Sequence, residues 1–68
     1  VLSIATNDAL AGSGKNIAAL MNFKNYFFVP MRQDDAEKKP TSLMADFDRT
    51  EDAIIAALDG KQLQPILV

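Results

Sequence analysis

Apolar and polar residues run along this chain in blocks rather than in strict alternation. Residues 1–6 (VLSIAT) are short, β-branched and apolar, the pattern of a strand buried on both faces as parallel sheets require. Residues 7–14 (NDALAGSG) are rich in turn formers and read as a loop. Ser13 is placed to cap a helix running from about Gly14 to Lys24, with Ile17, Leu20 and Met21 as its inward stripe. Lys24 suits the negative end of that helix, and Asn25 suits a left-handed residue just beyond it.

A second apolar block, residues 26–31 (YFFVPM), predicts another buried strand that ends near Pro30, because proline cannot donate to a ladder. Residues 32–42 form a polar loop in which Pro40 bars helix. A second helix is expected from about Thr50 to Asp59, capped by Asp48 or Thr50 and favoured at its positive end by Glu51 and Asp52. Its inward residues are read as Ile54, Ile55 and Leu58, and Gly60 stops it. The tail ends in QPILV, an edge strand or a docked extended segment.

Strand, helix, strand, loop, helix and tail make an α/β chain: a βαβ unit with a right-handed crossover and one further helix. No internal repeat, low-complexity tract or domain boundary interrupts it. Two parallel strands with two helices leave sheet faces and edges uncovered, and so small a sheet is not expected to stand alone. The usual reinforcements are missing, since the 68 residues include neither Cys nor His, which removes disulfides, thiolate sites and His-based metal or catalytic sites. The expectation is that residues 1–68 are the C-terminal part of a single larger α/β domain, or that they need partner chains.

A net charge of −2, from 7 basic and 9 acidic residues, supplies no overall field for nucleic acid or anionic lipid. Apolar runs such as residues 17–21 are too short to span a bilayer, and no signal-peptide pattern is present. A soluble, intracellular chain is expected.

Candidate chemistry gathers where residues 27–45 (FFVPMRQDDAEKKPTSLMA) turn from strand to polar loop, because open α/β sheets build ligand sites at strand carboxyl ends. Arg32, Gln33, Lys38 and Lys39 there would suit a substrate with two carboxylates. Asp34, Asp35 and Glu37 lie among them, so a solvated loop with internal ion pairs is the competing reading. Thr6, Asn7 and Asp8, just past the first strand, offer amide and hydroxyl groups to a ligand, or simply close an Asx turn. The AGSGKN run of residues 11–16 departs from a phosphate-binding P-loop twice: Ala9 stands where its first glycine belongs, and Asn16 replaces the Mg²⁺-holding hydroxyl. Met21, Met31 and Met44 suit gap-filling in a core. Asp34 and Asp35 have no third ligand spaced to help, so no metal site is expected.

Several pieces in order carry a resemblance: SIATNDAL (residues 3–10), GKNI (14–17), KNYFFVP (24–30), QDD (33–35), KKPTSLMA (38–45) and KQLQPIL (61–67). Together they resemble the C-terminal third of the dipicolinate-forming branch of the flavoprotein family. That family has Rossmann-like folds and includes flavin-dependent cysteine decarboxylases. The resemblance implies a parallel three-layer sandwich of which this chain supplies the closing βαβ-α part, with the main flavin-phosphate loops lying earlier. It implies FMN as a cofactor, a partner subunit that binds NAD(P), and self-association into a homo-oligomer. The implied activity is oxidation of a dihydropyridine dicarboxylate to the aromatic acid in the cytoplasm of the mother cell of a sporulating bacterium.

In the wider family a P-x-M-N-x-x-M segment follows the equivalent strand, and its Asn contacts substrate. Residues 5–10 are similar to it, which passes the role to Asn7 alone, since the Pro and both Met residues of that motif are absent. Leu43-Met44-Ala45-Asp46 resembles the family's M-A-E turn before the last helix, which contributes to the substrate pocket; Asn7, as the residue that would orient substrate or flavin, and Met44 are the cofactor-binding candidates. Thr6, Asp8, Arg32, Gln33, Lys38 and Lys39 are then substrate-binding candidates. Three readings follow: a part of the oxidising subunit, a non-catalytic scaffold for the nucleotide-binding partner, or an independent interaction module.

Overall fold

The computed structural model describes all 68 residues. Three strands, β1 (Ala5–Thr6), β2 (Met31–Arg32) and β3 (Leu43–Ala45), are joined by helix α1 (Gly14–Met21) and followed by helix α2 (Thr50–Leu58). A 3₁₀ turn at Phe47–Arg49 leads into α2.

The apolar blocks run parallel, as their composition predicts. The Leu2 amide donates to the Phe27 carbonyl at 2.8 Å and the Val29 amide to Leu2 at 2.9 Å, a parallel bridge of Leu2 to Phe28 with α1 in the crossover. On the other side the Met31 amide donates to Ile66 at 2.8 Å and the Val68 amide to Met31 at 2.9 Å. Leu67 and Met31 therefore form a second parallel bridge, and the tail is an edge strand.

At the carboxyl ends the two blocks part, and β3 runs antiparallel between them in the order β1-β3-β2. Ala5 faces Met44 and Thr6 faces Leu43 on one side, while Met31 faces Ala45 and Arg32 faces Met44 on the other. The Ala45 amide donates to Ile4 at 2.6 Å and the Asp46 amide to Pro30 at 2.7 Å. Two expectations are corrected here. Residues 43–45 form a strand rather than a turn, because the gap between diverging strands presents unpaired carbonyls that an extended segment satisfies. The ladder also continues past Pro30: proline withholds only a donor, its carbonyl still accepts, and pairing resumes at Met31.

Phe28 and Val29 are both fully buried, yet as successive residues they face opposite sides of the sheet. Phe28 joins Ala9, Ile17 and Met31 under α1, with Leu2, Ile4, Leu20, Leu43 and Ile66 at the margin. Val29 joins Ala45 and Ala53 under α2, with Leu63 beside them. The result is helix, sheet, helix: three layers around a thin core.

Both helices differ in detail from expectation. α2 meets the sheet through Ala53, 1% exposed, whereas Ile54, Ile55 and Leu58 are 44%, 59% and 85% exposed rather than inward. A methyl group fits the close approach over Val29 and Ala45, so the larger side chains are carried off that line. α1 ends at Met21, short of Lys24, and Met21 is exposed instead of completing the stripe. Asn25 (φ 70°) takes the left-handed backbone expected of it, and Gly60, expected to stop α2, is left-handed as well (φ 71°). Neither helix has a side-chain cap bond. Ser13 precedes α1 but spends its hydroxyl on Asp8, and the 3₁₀ turn puts Arg49, not Asp48 or Thr50, at the position before α2.

Candidate functional site

The sheet's carboxyl end brings together the loop that follows β1 and the loop that precedes β3. The Leu10 amide donates to the Thr41 carbonyl at 2.9 Å, and the Thr41 hydroxyl donates to the Asn7 carbonyl. Asn7 is thus held through its backbone while its side chain is exposed, with no hydrogen bond to the protein. Asp8 is already engaged. Its Oδ1 accepts from the Thr6 hydroxyl at 2.7 Å and from the Ser13 hydroxyl at 2.8 Å. Those two bonds, Thr6 first, hold the Asp8 carboxyl below its ordinary value of 3.8.

The cations separate into different roles. Lys39 Nζ lies 2.9 Å from Asp34 Oδ2, and that contact raises the lysine pKa from its ordinary 10.5. Lys38 is exposed and is engaged only through its backbone amide, which donates to Asp35 Oδ1 at 3.1 Å. Gln33 Nε2 donates to the Pro40 carbonyl at 2.9 Å and ties the loop's two ends together. Arg32 ends β2 opposite Met44, which in turn faces Ala5, so Arg32 stands two strand spacings, about 10 Å, from β1. It has no ion-pair partner.

Thr41 and Ser42 organise this region, although the residue pattern did not mark them out. Ser42 is 1% exposed; its Oγ accepts the Asp34 amide at 3.0 Å and donates to the Lys39 carbonyl at 2.8 Å. The signal that could have found them is two hydroxyl residues between Pro40 and an apolar run, where a loop must satisfy its own backbone on entering the sheet.

A groove of about 540 Å³ opens between α1 and the edge strand of residues 66–68, beside these loops. Ten of its 13 lining residues are apolar, and the other three are Gly14, Arg32 and Gln33. A second recess, about 490 Å³, lies at the opposite end around Phe23, Lys24, Tyr26 and Gln62.

The loop between β1 and α1 does not suit the phosphate of FMN. Its hydroxyl donors, Thr6 and Ser13, point at the Asp8 carboxylate, and that negative charge sits where an anion would have to bind. No group of three metal-ligating side chains comes together. No helix is long and apolar enough to cross a membrane.

No protein-family model matches the chain. It is 53% identical over all 68 residues to the B-type subunit of dipicolinate synthase from Bacillus subtilis (strain 168), of which it spans 34%. The crystal structure of the same subunit from Bacillus halodurans C superposes with a TM-score of 0.94 at 47% identity, covering 97% of this chain and 34% of that one. The chain therefore resembles the B-type dipicolinate synthase subunit over its whole length and corresponds to about a third of it, with the Rossmann-like α/β fold of that protein.

Proposed function

We propose that this chain is the C-terminal third of a B-type dipicolinate synthase subunit, which with its nucleotide-binding partner, the A-type subunit, oxidises dihydrodipicolinate to dipicolinate in the mother-cell cytoplasm of a sporulating bacterium. The observation that carries this reading is the 53% identity to that protein over every residue of the chain. The reaction removes two hydrogens from the ring: a C–H bond breaks with loss of hydride to an acceptor, and a proton leaves to solvent or a base. Aromaticity supplies the driving force, so the protein's main task is to hold the ring and its carboxylates in place. NAD(P) held by the partner subunit would supply the hydride acceptor.

Asn7 has an amide free of protein hydrogen bonds and a backbone pinned by Thr41, which suits it to orient the substrate. Arg32, Lys38 and Lys39 are the cations available for carboxylates, with Lys39 partly neutralised by Asp34. The test is Asn7→Ala in the reconstituted two-subunit enzyme. An oxidation rate lowered about a hundredfold is expected from loss of orientation; turnover near that of the wild type removes Asn7 from the site.

One observation favours a second reading, in which the protein is a flavoprotein-like scaffold, a homo-oligomer that activates its nucleotide-binding partner without touching the substrate. Asp8 is held ionised by two hydroxyls, which makes it a weak base, and this chain offers no other acid or base beside Asn7. Flavin absorbance of the purified full-length protein separates the two: a yellow protein supports a redox role of its own, and a colourless one that cannot be reconstituted with FMN supports the scaffold.

A further inference from the structure

We propose that the groove between α1 and the edge strand of residues 66–68 takes a planar ring bearing a carboxylate, with Arg32 as the carboxylate anchor. This deepens the proposed oxidation, on which it rests, by locating the substrate's ring and choosing one cation among three.

The groove's shape argues first. At about 540 Å³ it lies within the range of small-molecule sites, and its apolar walls are punctuated by polar groups only at Gly14, Arg32 and Gln33. A flat hydrophobic ring meets Ile17, Met31, Leu43 and Leu67 there, while anything charged on it has to lie toward Arg32.

Charge argues second. Three cations are already matched: Lys39 with Asp34 at 2.9 Å, Arg49 with Asp46 at 3.2 Å, and Lys61 with Asp59 at 3.4 Å. Arg32 is unpaired, and it alone of the loop cations lines the groove. A guanidinium presents a planar fork that a carboxylate fills with two parallel hydrogen bonds, and a neighbouring apolar surface strengthens that contact by excluding water. Lys38 and Lys39 lie outside the groove lining, which leaves them to the loop surface.

The groove also opens on the right side of the sheet for the chemistry. Ala9, Leu10 and Gly14 form part of its wall, and they closely follow Asn7 and Asp8 in the same loop. A ring anchored at Arg32 therefore shares a wall with the loop that carries the amide proposed to orient it.

The experiment uses the intact polypeptide that carries this chain, titrated calorimetrically with pyridine-2,6-dicarboxylate and, as an uncharged probe, with pyridine. The dicarboxylate is expected to bind and pyridine to bind far more weakly. Arg32→Gln should raise the Kd at least about tenfold, the loss expected when a bidentate carboxylate contact goes. Ala18→Trp, which fills the groove from an exposed helix position, should abolish binding, and the charge control Lys24→Gln should leave it essentially unchanged. Unchanged circular dichroism melts would show that the variants remain folded. Binding that survives both Arg32→Gln and Ala18→Trp overturns the groove, as does the absence of binding to the wild type; the groove's occupant would then be polypeptide, either the part of the protein that the relatives have outside this third or a second copy of the chain. Turnover of the two-subunit complex judges the oxidation reading separately: an inactive complex with groove binding intact sinks that reading and leaves the ring site standing.

Discussion

Asp8 is exposed yet accepts two hydroxyl hydrogen bonds, and its titration follows from them. Because the folded carboxyl is held below its ordinary 3.8, its contribution to stability is present at higher pH and is lost as pH falls below about that value through the folded pKa. A carbon-detected NMR titration should find Asp8 ionising below 3.8, and Thr6→Val should move it back up more than Ser13→Ala does, since Thr6 is the larger cause. Titration at 3.8 or above in the wild type would contradict the loop geometry. Gly14 tests the same loop sterically. A Cβ added there would collide with the Ala9 carbonyl oxygen, a backbone atom with no rotamer to retreat into. Gly14→Ala should destabilise the intact protein by roughly 1–3 kcal/mol, read from the denaturant midpoint; an unchanged midpoint would mean that the loop relaxes freely.

Among the elements, the central strand is completed by a side chain. Gln62 Oε1 accepts the Phe28 amide at 2.7 Å, and its Nε2 donates to the Phe28 carbonyl at 2.6 Å. The amide group thereby extends the ladder begun by residues 66–68, standing in for one peptide unit. Replacing Gln62 with Leu strands both groups of a buried residue and should cost about 1–3 kcal/mol in equilibrium unfolding. Gln62→Glu should be at least as harmful, because a carboxylate would face the Phe28 carbonyl. α2 depends on close approach instead. Ala53→Leu forces bulk against Val29 and Ala45 and should cost about 1–3 kcal/mol, whereas a polar residue at Leu58 should stay within about 0.5 kcal/mol for the fold described, as surface changes do.

Over the whole molecule, only nine of 68 residues are buried, while Phe47, Ile54, Ile55 and Leu58 leave one side of the α2 region apolar and exposed. The radius of gyration is 11.8 Å, somewhat above the roughly 11 Å expected of a compact chain this long. The first strand has a further open edge, since Leu2 and Ile4 direct their bonds to residues 27–29 and β3 and nothing pairs beyond them. A core this thin does not offset the entropy of ordering the chain. The isolated 68-residue peptide should therefore show no cooperative thermal transition by circular dichroism. A sharp, concentration-independent melt would show that it folds alone and would favour an independent module.

Residue patterns were enough to read the buried second strand, both helices, the parallel arrangement, the left-handed Asn25 and the stop at Gly60, because those depend on which residues must leave water and which backbones can turn. The same is true of the position of the polar loops at the strand carboxyl ends. Residues 1–6, expected to be buried on both faces, instead alternate between exposed and half-buried along an open edge. Residue types could not reveal β3, because residues 43–45 look like any short apolar piece until two diverging strands expose carbonyls for them to bond. Nor could periodicity tell that α2 would rest on Ala53 rather than on its larger neighbours, since the depth of approach is set by what the sheet presents beneath it. The division of the cations was likewise a matter of folding. Lys39 and Arg32 are both positive in sequence, and only tertiary placement matched one with Asp34 and left the other unpaired at the rim of an apolar groove.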